Sequence, residues 1–550
     1  MNNAIFNIQM PENEPVKDYK AGSFERRDLI AEIERQKNEI IEIPLIINGK
    51  EIKTSNTGKV VMPHNHSHVL ATYHMAGEKE VEMAIEAALN AHKYWESTSW
   101  IERVSINLKI AELIRTKYRN VINASTMLGQ GKNVFQAEID AACESIDFFR
   151  FNAYYVSQIY NTQPISEKGN LNRLEYRPLE GLVFAVSPFN FTSISANLAM
   201  APVLMGNTVV WKPATTSLLS NYYLMKIYKE AGVPDGVINF IPGKGSVIGN
   251  KVLTHKDLAG VHFTGSTSTF NKFWHTIGNN MGKYRSYPRI VGETGGKDFV
   301  FMHESAIPVE VATALVRGAF EYQGQKCSAA SRAYIPASKW NEVKEHIGEM
   351  LNQITVGDVE KFPNFMNAVI DEAAFDNIMS YIEKARLSES AEVIFGGNGD
   401  KSTGYFIEPT VILAKDPHFL TMEEEIFGPV LTIYVYPDEQ FEQTLELCDT
   451  SSPYALTGSV FASDRAALTH ACQKLKYAAG NFYYNDKPTG AVVGQQPFGG
   501  SRASGTNDKA GSQLNLMRWI SPRTIKETLV PATDFKYPFM KEGSCGKTPS

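Results

Sequence analysis

The chain has 550 residues, of which 43% are hydrophobic and 21% are charged, so it is long enough for about three domains of ordinary composition. Its formal net charge of −6 argues against nucleic acid as the main partner, because phosphate binding requires a basic face. No apolar run approaches the roughly 18 residues that a membrane-spanning helix needs, so we expect no membrane span.

The five cysteines are sparse and odd in number, and none belongs to a CxxC pair. Such usage fits a reducing compartment and argues against a disulfide framework and against a zinc site. Residues 1–14 lack the basic and apolar regions of a signal peptide, and they carry acids early, unlike an Arg-rich transit peptide. We therefore expect a cytoplasmic protein, or a protein of the mitochondrial matrix if the cell is eukaryotic.

The N-terminal part of the chain is predicted to be mainly helical. A surface helix over residues 23–42 has an apolar stripe that comprises Leu29, Ile30, Ile33 and Ile40. The Asn48-Gly49 dipeptide between short apolar runs predicts a β-hairpin over residues 45–52. Further helices are predicted over residues 78–94, 100–119 and 137–155, followed by a polar loop or hairpin over residues 156–177.

Between residues 181 and 293 short apolar runs alternate with helical patterns. Strands are predicted at residues 182–186, 208–211, 237–241, 258–264 and 289–291, and helices at residues 194–205 and 217–231 and after residue 266. This alternation predicts a parallel, doubly wound sheet, which binds ligands at the carboxyl ends of its strands.

Residues 297–490 repeat the alternation less regularly and predict a second α/β domain. Its clearest elements are helices at residues 309–320, 340–354 and 375–386 and a strand at residues 430–435. The tail beyond residue 512 is β-rich and has no apolar core of its own. We expect it to form an arm that reaches onto another subunit.

One cysteine differs from the others because its neighbours are polar or small. Cys327 follows Gly324, Gln325 and Lys326, a setting that does not form an apolar pocket. A thiol there is a candidate nucleophile, and the adjacent lysine is expected to favour the thiolate through its charge. A buried core cysteine is the alternative interpretation. The remaining cysteines are assigned to packing or to the surface: Cys143, Cys448, Cys472 and Cys545.

Other candidates follow the ends of predicted strands. Glu293 precedes two glycines and is a candidate general base, Asn190 is a candidate donor to an oxyanion, and Lys212 is suited to a ribose hydroxyl or a phosphate. Gly265-Ser266 opens a helix, whose N-terminus attracts anions. Each feature taken alone is also consistent with a solvated side chain or an ordinary turn. The chain lacks the GxGxxG fingerprint of a standard dinucleotide site.

Taken together, these stretches resemble the aldehyde dehydrogenase superfamily. The shared motifs are, in order, Ser-Pro-Phe-Asn-Phe, Trp-Lys-Pro, Phe-Thr-Gly-Ser, Gly-Glu-Thr-Gly-Gly-Lys, Gly-Gln-Lys-Cys, Glu-Glu-Ile-Phe-Gly-Pro and Pro-Phe-Gly-Gly. Their order and spacing make the resemblance specific, and it extends over about residues 45–528.

The resemblance implies an α/β fold with a Rossmann-like cofactor domain, an α/β catalytic domain and a β-rich oligomerisation arm. The domain bounds it implies are an N-terminal helical extension at 1–44, an NAD-binding domain at 45–155 and 179–295, a catalytic domain at 296–488, and the arm at 156–178 and 512–540.

The resemblance also implies roles for individual residues. Cys327 would attack an aldehyde carbon, Asn190 and the backbone N–H of Cys327 would hold the oxyanion, and Glu293 would activate water to hydrolyse the thioester. NAD would be the cofactor and would accept a hydride. The residues implied to hold it are Ser187, Lys212, Gly265, Ser266, Thr267, Glu425 and Phe427.

Four further stretches resemble the superfamily members that oxidise L-glutamate γ-semialdehyde to L-glutamate in proline catabolism. They are residues 320–332, 481–487, 494–500 and 503–508. This small-molecule substrate carries an α-carboxylate and an α-ammonium at the end away from the aldehyde. The residues implied to bind it are Ser328, Gly490 and Ala491 for the carboxylate, Phe191 and Phe498 for the aliphatic middle, and Glu144 for the ammonium.

The sequence departs from the superfamily pattern at three positions. Phe270 replaces the last glycine of Gly-Ser-Thr-x-x-Gly, which predicts a weaker pyrophosphate contact there. Thr215 replaces the acid that many members place after Lys-Pro-Ala, which leaves NADP as an alternative cofactor. Ala491 replaces a serine of some members, so only a backbone contact is expected from it.

Two alternative functions remain open at this point: a dehydrogenase for another semialdehyde, and a non-catalytic member of the fold. The intact Cys327, Glu293 and Asn190 argue against the second. We expect a homodimer or a higher homo-oligomer, and no metal. A proline dehydrogenase partner would be a separate chain, because 550 residues leave no room for a second barrel domain.

Overall fold

The computed structural model describes residues 6–540. Two α/β units and a two-stranded ribbon make up most of its architecture. Residues 1–5 of the expected N-terminal extension, and Cys545, lie outside the described residues. No helix within residues 6–540 is both long and apolar enough to cross a membrane.

The first unit is built on a seven-stranded sheet, five strands of which are parallel. The strand order is Arg289–Glu293, Leu258–Thr264, Leu182–Val186, Thr208–Lys212, Ile238–Phe240, Leu45–Ile47 and Lys50–Ile52. The chain order reverses between the second and third of these strands, so a ligand crevice is expected beyond their carboxyl ends. The doubly wound sheet predicted for residues 181–293 is therefore confirmed.

The predicted hairpin at the edge of this sheet is also confirmed. Leu45–Ile47 pairs antiparallel with Lys50–Ile52, and the two residues between them, Asn48 and Gly49, have φ of 50° and 72°. These left-handed conformations are those of the tight turn that matches the twist of two antiparallel strands, and Asn-Gly adopts them readily.

Helices cover both faces of the sheet, which explains why its central strands are apolar on both sides. The helices of the first unit are Glu78–Trp95, Trp100–Leu113, Arg119–Gln130, Val134–Ala137, Ser145–Asn161, Thr192–Leu204, Leu218–Ala231, Gly245–Leu253 and Thr267–Asn279. Shorter turns are the 3₁₀ segments Thr215–Ser217 and Met281–Lys283 and the π-helical segments Ile114–Tyr118 and Glu138–Glu144.

An N-terminal helix, Phe24–Asn38, begins after Ser23, whose hydroxyl accepts a hydrogen bond from the backbone N–H of Arg26. Leu29 and Ile33 of the predicted stripe are buried, but Ile30 and Ile40 are exposed. The prediction was wrong for these two because the helix ends before Ile40 and only its Leu29–Ile33 line faces the protein. Three strands follow, ordered Ile41–Ile43, Asn65–His74 and Thr57–Met62.

The second unit is also built on a seven-stranded sheet. Its order is Ala391–Phe395, Thr410–Ala414, Val430–Tyr436, Ala330–Pro336, Asp298–Met302, Thr457–Phe461 and Asn481–Tyr484, and only the first strand is antiparallel to its neighbour. The helices are Pro308–Phe320, Ala337–Leu351, Glu372–Arg386, Leu420–Glu423, Phe441–Thr450 and Arg465–Lys474. A last helix, Gln513–Met517, packs against Ser145–Asn161 of the first unit. Minor elements are the 3₁₀ turns Glu321–Gly324, Asp438–Gln440 and Pro538–Met540 and the short strands Gly399–Asp400, Phe406–Ile407, Tyr454–Ala455 and Ser501–Arg502.

The ribbon joins Asn170–Pro178 to Ile520–Thr528 in continuous antiparallel pairing. Most of its side chains are exposed. The loop or hairpin predicted for residues 156–177 was wrong in its first part, because the helix Ser145–Asn161 continues through it. Val156 and Ile159 are buried and hold this last turn against the core.

Several helices are missing from the predictions, among them Arg119–Gln130, Phe441–Thr450 and Arg465–Lys474. Another, Gly245–Leu253, belongs to the predicted doubly wound sheet. It begins after Lys244 without a side-chain hydrogen bond to its first turn, so the usual capping signal is absent from the sequence. Its position follows from the buried Ile248, Val252 and Leu253, which pack against the first sheet.

The two sheets meet near Cys327 because the chain passes directly from one to the other. The edge strand Arg289–Glu293 of the first sheet ends at Glu293, and the central strand Asp298–Met302 of the second begins five residues later, since 298 − 293 = 5. Ala330–Pro336 pairs parallel with Asp298–Met302, so residues just before Ala330 lie at the same amino edge as Asp298. The carboxyl edge of one sheet therefore faces the amino edge of the other.

Candidate active site

Cys327 lies where two cavities meet. The first cavity has a volume of about 340 Å³ and the second of about 640 Å³, within the range of small-molecule sites. Cys327, Phe263 and Thr264 line both cavities. A thiol at this junction can contact molecules bound in either cavity. This position favours the interpretation of Cys327 as a nucleophile over that of a buried core cysteine.

The turn before Cys327 has an unusual backbone. Tyr322, Gln323 and Gly324 have φ of 52°, 56° and 65°, a left-handed run that ordinary residues adopt only when their surroundings enforce it. The Gln323 amide donates to the carbonyls of Gly131 and Ala368 at 2.9 and 2.8 Å. A Cβ on Gly324 would lie 2.1 Å from the carbonyl oxygen of Gly428, so this position requires glycine.

The surroundings of Cys327 do not stabilise its thiolate in the free protein. Burial raises the pKa of the thiol well above its ordinary value, and the carboxyl groups of Glu293, Asp298 and Glu425 raise it further. The prediction that Lys326 favours the thiolate was wrong. Its ammonium instead lies 3.2 Å from the Glu321 carboxylate, in an ion pair buried from solvent.

Glu293 is the candidate base, and its charge acts on the Cys327 thiol. Burial raises the pKa of its carboxyl to about 8, against the opposing charge of Lys509. Glu293 lines the first cavity, and its backbone carbonyl accepts a hydrogen bond from Gly265 N–H at 3.2 Å. A carboxyl group with a pKa near the working pH is suited to exchange protons.

Asn190 lies beside the turn that carries Cys327. Its side-chain Nδ2 donates to the backbone carbonyl of Gln325 at 3.0 Å, and the residue is buried. An amide nitrogen carries two N–H groups, so one orients the side chain and the other is free to bind a ligand. Asn190 lines the second cavity, on the same side as Cys327.

The second cavity lies at the crevice where the strand order of the first sheet reverses. Its wall includes Ser187 and Lys212, which follow neighbouring strands. Burial lowers the pKa of Lys212 to about 8, and within the described residues its ammonium makes no hydrogen bond or ion pair. Ser187 accepts a hydrogen bond from the Trp211 indole at 3.0 Å. The ammonium of Lys212 therefore has no partner among the described residues and is available to a hydroxyl group of a ligand.

The helix Thr267–Asn279 points its N-terminus at the same cavity, because Gly265 and Ser266 line it. Thr267 does not line the cavity, and its hydroxyl instead donates to Ala503 O at 3.3 Å. Phe270 points away and stacks on Phe263 at 5.4 Å between ring centroids. The replacement of a glycine at this position therefore leaves the helix N-terminus accessible to a phosphate.

Glu425 and Phe427 complete the second cavity near Cys327. Burial raises the pKa of Glu425 to about 7, although its carboxylate accepts the Gly296 N–H at 2.9 Å. A Cβ on Gly295 would lie 2.5 Å from the same carboxylate, which explains the glycine pair after Glu293. Phe427 meets Phe189 edge to face at 5.8 Å.

A nicotinamide dinucleotide fits these residues. The cavity is lined by an ammonium that has no partner among the described residues, by a helix N-terminus, and by a carboxylate and Cys327. These groups match ribose hydroxyls, a pyrophosphate and a second ribose.

The first cavity contains all six residues that were predicted to bind a substrate: Glu144, Phe191, Ser328, Gly490, Ala491 and Phe498. The Ser328 and Thr489 hydroxyls share a hydrogen bond of 2.8 Å, and Gly490 has φ of 101°. Burial raises the pKa of Glu144 to about 8, and the nearby Asp140 adds to the shift. A bound ammonium would lower that pKa and favour the carboxylate.

Sequence reasoning missed a group of cations in this cavity. Arg317, Lys326 and Lys487 surround the single carboxylate of Glu321, at 3.0, 3.2 and 4.0 Å. They lower the pKa of Glu321 despite its burial. The excess positive charge favours an anionic ligand, and Lys487 also donates to the Thr489 carbonyl beside Gly490. Arg317 and Lys326 lie close to Glu321 in the sequence, but Lys487 does not, so no local motif indicates that the three cations share one carboxylate.

Sequence reasoning also missed the N-terminal segment, because no local pattern links it to the site. Asn13, Glu14 and Val16 line the first cavity. Asn13 donates to the carbonyl of Val493 and to the Asp147 carboxylate, both at 2.8 Å. The Glu14 carboxylate forms buried ion pairs with Arg119 and Arg150 at 2.6 and 2.8 Å. The segment therefore braces the loop that carries Gly490 and Ala491.

The other described cysteines are free and lie away from the junction. Cys143 and Cys448 are buried, and Cys472 is partly buried. Cys143 also lines the first cavity, but burial raises the pKa of its thiol well above the usual value and the nearby Glu138 adds to the shift. Unlike Cys327, it does not line the second cavity, so it does not lie between the two sites.

Comparison with known proteins agrees with this geometry. The model of the "Aldehyde dehydrogenase family" matches residues 50–525. The delta-1-pyrroline-5-carboxylate dehydrogenase of Dictyostelium discoideum, named as mitochondrial, is 54% identical over 97% of this chain and 96% of its own length. The enzyme of the same name from Agaricus bisporus is 52% identical over 97% of this chain and 98% of its own length.

A solved structure is similar over nearly the whole chain. The crystal structure of the delta-pyrroline-5-carboxylate dehydrogenase from Mycobacterium tuberculosis bound with NAD has a TM-score of 0.95 and 49% identity, covering 98% of this chain and 100% of the other. A family match over most of the sequence and a shared fold at this identity lead to one conclusion. The chain belongs to the aldehyde dehydrogenase family.

Proposed function

We propose that the protein oxidises L-glutamate γ-semialdehyde, the open form of 1-pyrroline-5-carboxylate, to L-glutamate with NAD⁺, the second step of proline catabolism. The observation that carries the proposal is the position of Cys327 between a cavity suited to a dinucleotide and a cavity suited to an amino-acid aldehyde. The names of the similar proteins from Dictyostelium, Agaricus and Mycobacterium, and the NAD bound in the last, support it.

The first half of the reaction takes place on Cys327. Its sulfur attacks the aldehyde carbon as the thiol proton passes to Glu293, whose pKa of about 8 permits it to accept that proton. The aldehyde oxygen becomes an oxyanion, which the free N–H of Asn190 and the backbone N–H of Cys327 stabilise. The chemistry that NAD⁺ supplies when bound is the acceptance of a hydride, and a thioester remains on Cys327.

The second half of the reaction is hydrolysis of the thioester. After Glu293 has released the thiol proton to solvent, it takes a proton from a water molecule, and the water oxygen attacks the thioester carbon. The C–S bond then breaks, the departing sulfur takes the proton from Glu293, and the new carboxylic acid loses its proton to solvent. The products are the carboxylate of glutamate and the free thiol. The high thiol pKa of Cys327 in the free protein keeps it unreactive until a substrate is bound.

Six residues would hold the cofactor directly, and a seventh would act through its neighbours. Lys212 and Ser187 would contact the adenosine ribose, Gly265 and Ser266 the pyrophosphate, and Glu425 and Phe427 the nicotinamide riboside. Their positions along one cavity support this assignment. Thr267 would contribute indirectly, because its hydroxyl accepts the Gly295 N–H at 3.2 Å and so orients the glycine pair beside Glu425.

Substrate choice would depend on the far end of the first cavity. Ser328 and the backbone N–H groups of Gly490 and Ala491 would bind the α-carboxylate, assisted by the cations around Glu321. Phe191 and Phe498 would contact the aliphatic middle, and Glu144 the α-ammonium. An aldehyde without these charged groups would leave them unpaired, so it would react more slowly.

The assembly and the compartment are further parts of the proposal. The exposed ribbon of residues 170–178 and 520–528 is suited to pair with a second copy in a homo-oligomer. A proline dehydrogenase would act as a separate chain. The low cysteine content suits the cytoplasm, or the mitochondrial matrix if the cell is eukaryotic, as the name of the Dictyostelium relative indicates for that protein.

The deciding experiment measures NADH formation with 1-pyrroline-5-carboxylate, succinate semialdehyde and short aliphatic aldehydes, each with NAD⁺ and with NADP⁺. We expect the highest kcat/KM for 1-pyrroline-5-carboxylate with NAD⁺. Equal values for succinate semialdehyde would favour a dehydrogenase for another semialdehyde, and no turnover with any aldehyde would favour a non-catalytic protein.

A further inference from the structure

A buried histidine outside both cavities makes no hydrogen bond through its ring within the described residues. His64 lies in the turn between the strands Thr57–Met62 and Asn65–His74, and its side chain is only 1% exposed. Within the described residues, neither Nδ1 nor Nε2 of this ring makes a hydrogen bond. Buried polar atoms in folded proteins are almost always bound to something, so this ring points to a missing partner.

Two carboxylates face the same ring. Nε2 of His64 lies 3.5 Å from Oδ1 of Asp358, and one donor atom each from His64, Asp358 and Glu360 all lie within 4.8 Å of one another. Within residues 6–540 this is the one group of three or more His, Cys, Asp or Glu side chains close enough to share an ion. The buried imidazole is therefore aimed into an acidic pair.

The spacing of the three side chains is close to that of a metal site. Ligand bonds of about 2.0–2.2 Å in tetrahedral geometry place two donor atoms roughly 3.4 Å apart, so side-chain movements of about 1–1.5 Å would close the group. Asp358 and Glu360 can make these movements, because their side chains are 38% and 20% exposed. The buried His64 would remain fixed.

We propose that His64, Asp358 and Glu360 bind one divalent transition-metal ion of the Zn²⁺ class, with water completing its coordination. An imidazole with two carboxylates is a ligand set that Zn²⁺ accepts, whereas Mg²⁺ and Ca²⁺ prefer oxygen alone. The two carboxylate charges balance the charge of the ion. The proposal departs from the expectation, drawn from the cysteine pattern, that the chain has no zinc site and no metal, because this ligand set contains no cysteine.

Lys37 is the internal competitor for this site. Its ammonium lies 2.9 Å from Glu360 and 3.9 Å from Glu34, so it neutralises one of the two acids when no ion is bound. An ion would displace it toward Glu34. Removing the ammonium should therefore strengthen metal binding, which a purely structural role for the acids would not produce.

The ion would join the two α/β units. His64 belongs to the N-terminal three-stranded sheet, whereas Asp358 and Glu360 belong to the loop between the helices Ala337–Leu351 and Glu372–Arg386 of the second unit. The same loop supports the turn before the nucleophile, because Asn367 N–H donates to Gln323 at 2.9 Å. Bound metal should therefore raise the temperature of unfolding.

The test is calorimetric titration of the metal-depleted full-length protein with Zn²⁺, in a Cys327→Ser background that removes the exposed soft ligand. We expect one ion per chain, at least tenfold weaker binding in Asp358→Asn and in Glu360→Gln, and tighter binding in Lys37→Met. Zn²⁺ should raise the unfolding temperature of the parent and not that of the Asp358→Asn variant.

His66→Ala is the matched control, because this nearby histidine contacts the Lys401 carbonyl and the Tyr405 ring instead. His64→Ala should abolish binding, and the two carboxylate variants test the site even if this buried change prevents folding. Unchanged affinity in both carboxylate variants, or an equal loss in His66→Ala, would overturn the proposal and leave an adventitious ion only.

Discussion

The two cavities that meet at Cys327 are built in different ways. The cofactor-side cavity is lined by residues at the ends of successive strands of one sheet, such as Ser187, Lys212 and Gly265. The substrate-side cavity is lined by segments as distant in the chain as Asn13 and Phe498. The first is an edge of regular structure, and the second is an assembly of loops and helices.

This difference affects how each cavity is held together. On the cofactor side, parallel strands fix the positions of the lining residues and few side-chain bonds are needed. On the substrate side, positions depend on buried ion pairs such as Glu14–Arg119 and Lys132–Asp140. A substitution in one cavity should therefore change the binding of its own ligand and leave the other ligand unaffected. The exceptions are the residues that line both cavities.

The largest effect is expected at the shared wall. Cys327→Ala removes the sulfur that both halves of the reaction need, and we expect NADH formation to fall by about 10⁴-fold or more. Both cavities should persist, so binding of NAD⁺ measured by fluorescence quenching should stay within about threefold of the parent. Substantial remaining turnover would exclude Cys327 as the nucleophile.

Glu293→Gln should separate the two halves of the reaction. Because a water-activating base contributes roughly 10²–10⁴-fold, we expect one rapid burst of NADH per site followed by slow turnover as thioester accumulates. Stopped-flow absorbance would record the burst, and mass spectrometry would detect the acylated protein. Normal steady-state turnover would exclude Glu293 from thioester hydrolysis.

The same residue predicts a pH profile. Burial raises the pKa of Glu293 to about 8, so its carboxyl is mostly protonated at pH 6 and mostly ionised at pH 9. Only the ionised form accepts a proton from water, so steady-state kcat should rise from pH 6 to 9 in the parent. In Glu293→Gln that rise should be absent, and a parallel rise in both proteins would assign it to another group.

Lys212→Met tests the cofactor side alone. The variant loses a charged hydrogen bond to the cofactor worth about 1.5–3 kcal/mol, which should raise the KM for NAD⁺ roughly tenfold to hundredfold. The fold should not be disturbed, because the Lys212 ammonium bonds no other described residue. The KM for the aldehyde should not change. Lys283→Met, at an exposed lysine that bonds Asn280, is the control and should change neither value.

Asn13→Ala tests the substrate side alone, with the smallest expected effect. It removes three hydrogen bonds, to Val493, Asp147 and Gln495, and the loosened loop should raise the KM for the aldehyde by roughly threefold to tenfold. The KM for NAD⁺ should stay constant. Asn38→Ala, which affects an exposed bond within the first helix, is the control, and an equal effect there would contradict a role of Asn13 in the site.

The sequence predicted those site residues best that lie at the ends of regular strands. The strands of the first sheet and the turns after them were predicted closely, because apolar runs and glycine-containing turns carry local signals. All six predicted substrate residues line one cavity, but they came from a resemblance to known enzymes rather than from a pattern. Lys326 shows the limit of local reasoning: it adjoins Cys327 in sequence, yet its charge is paired with Glu321.

The sequence by itself determined the doubly wound sheet, the candidate nucleophile, the base and the family resemblance, because these depend on residue order and short-range patterning. Only the tertiary structure decided which charges meet: the pairing of Lys326, the cations around Glu321, the bracing by Asn13 and Glu14, and the grouping of His64 with Asp358 and Glu360. These contacts join residues far apart in the chain, and their partners are selected by packing and burial of charge, which no local pattern encodes.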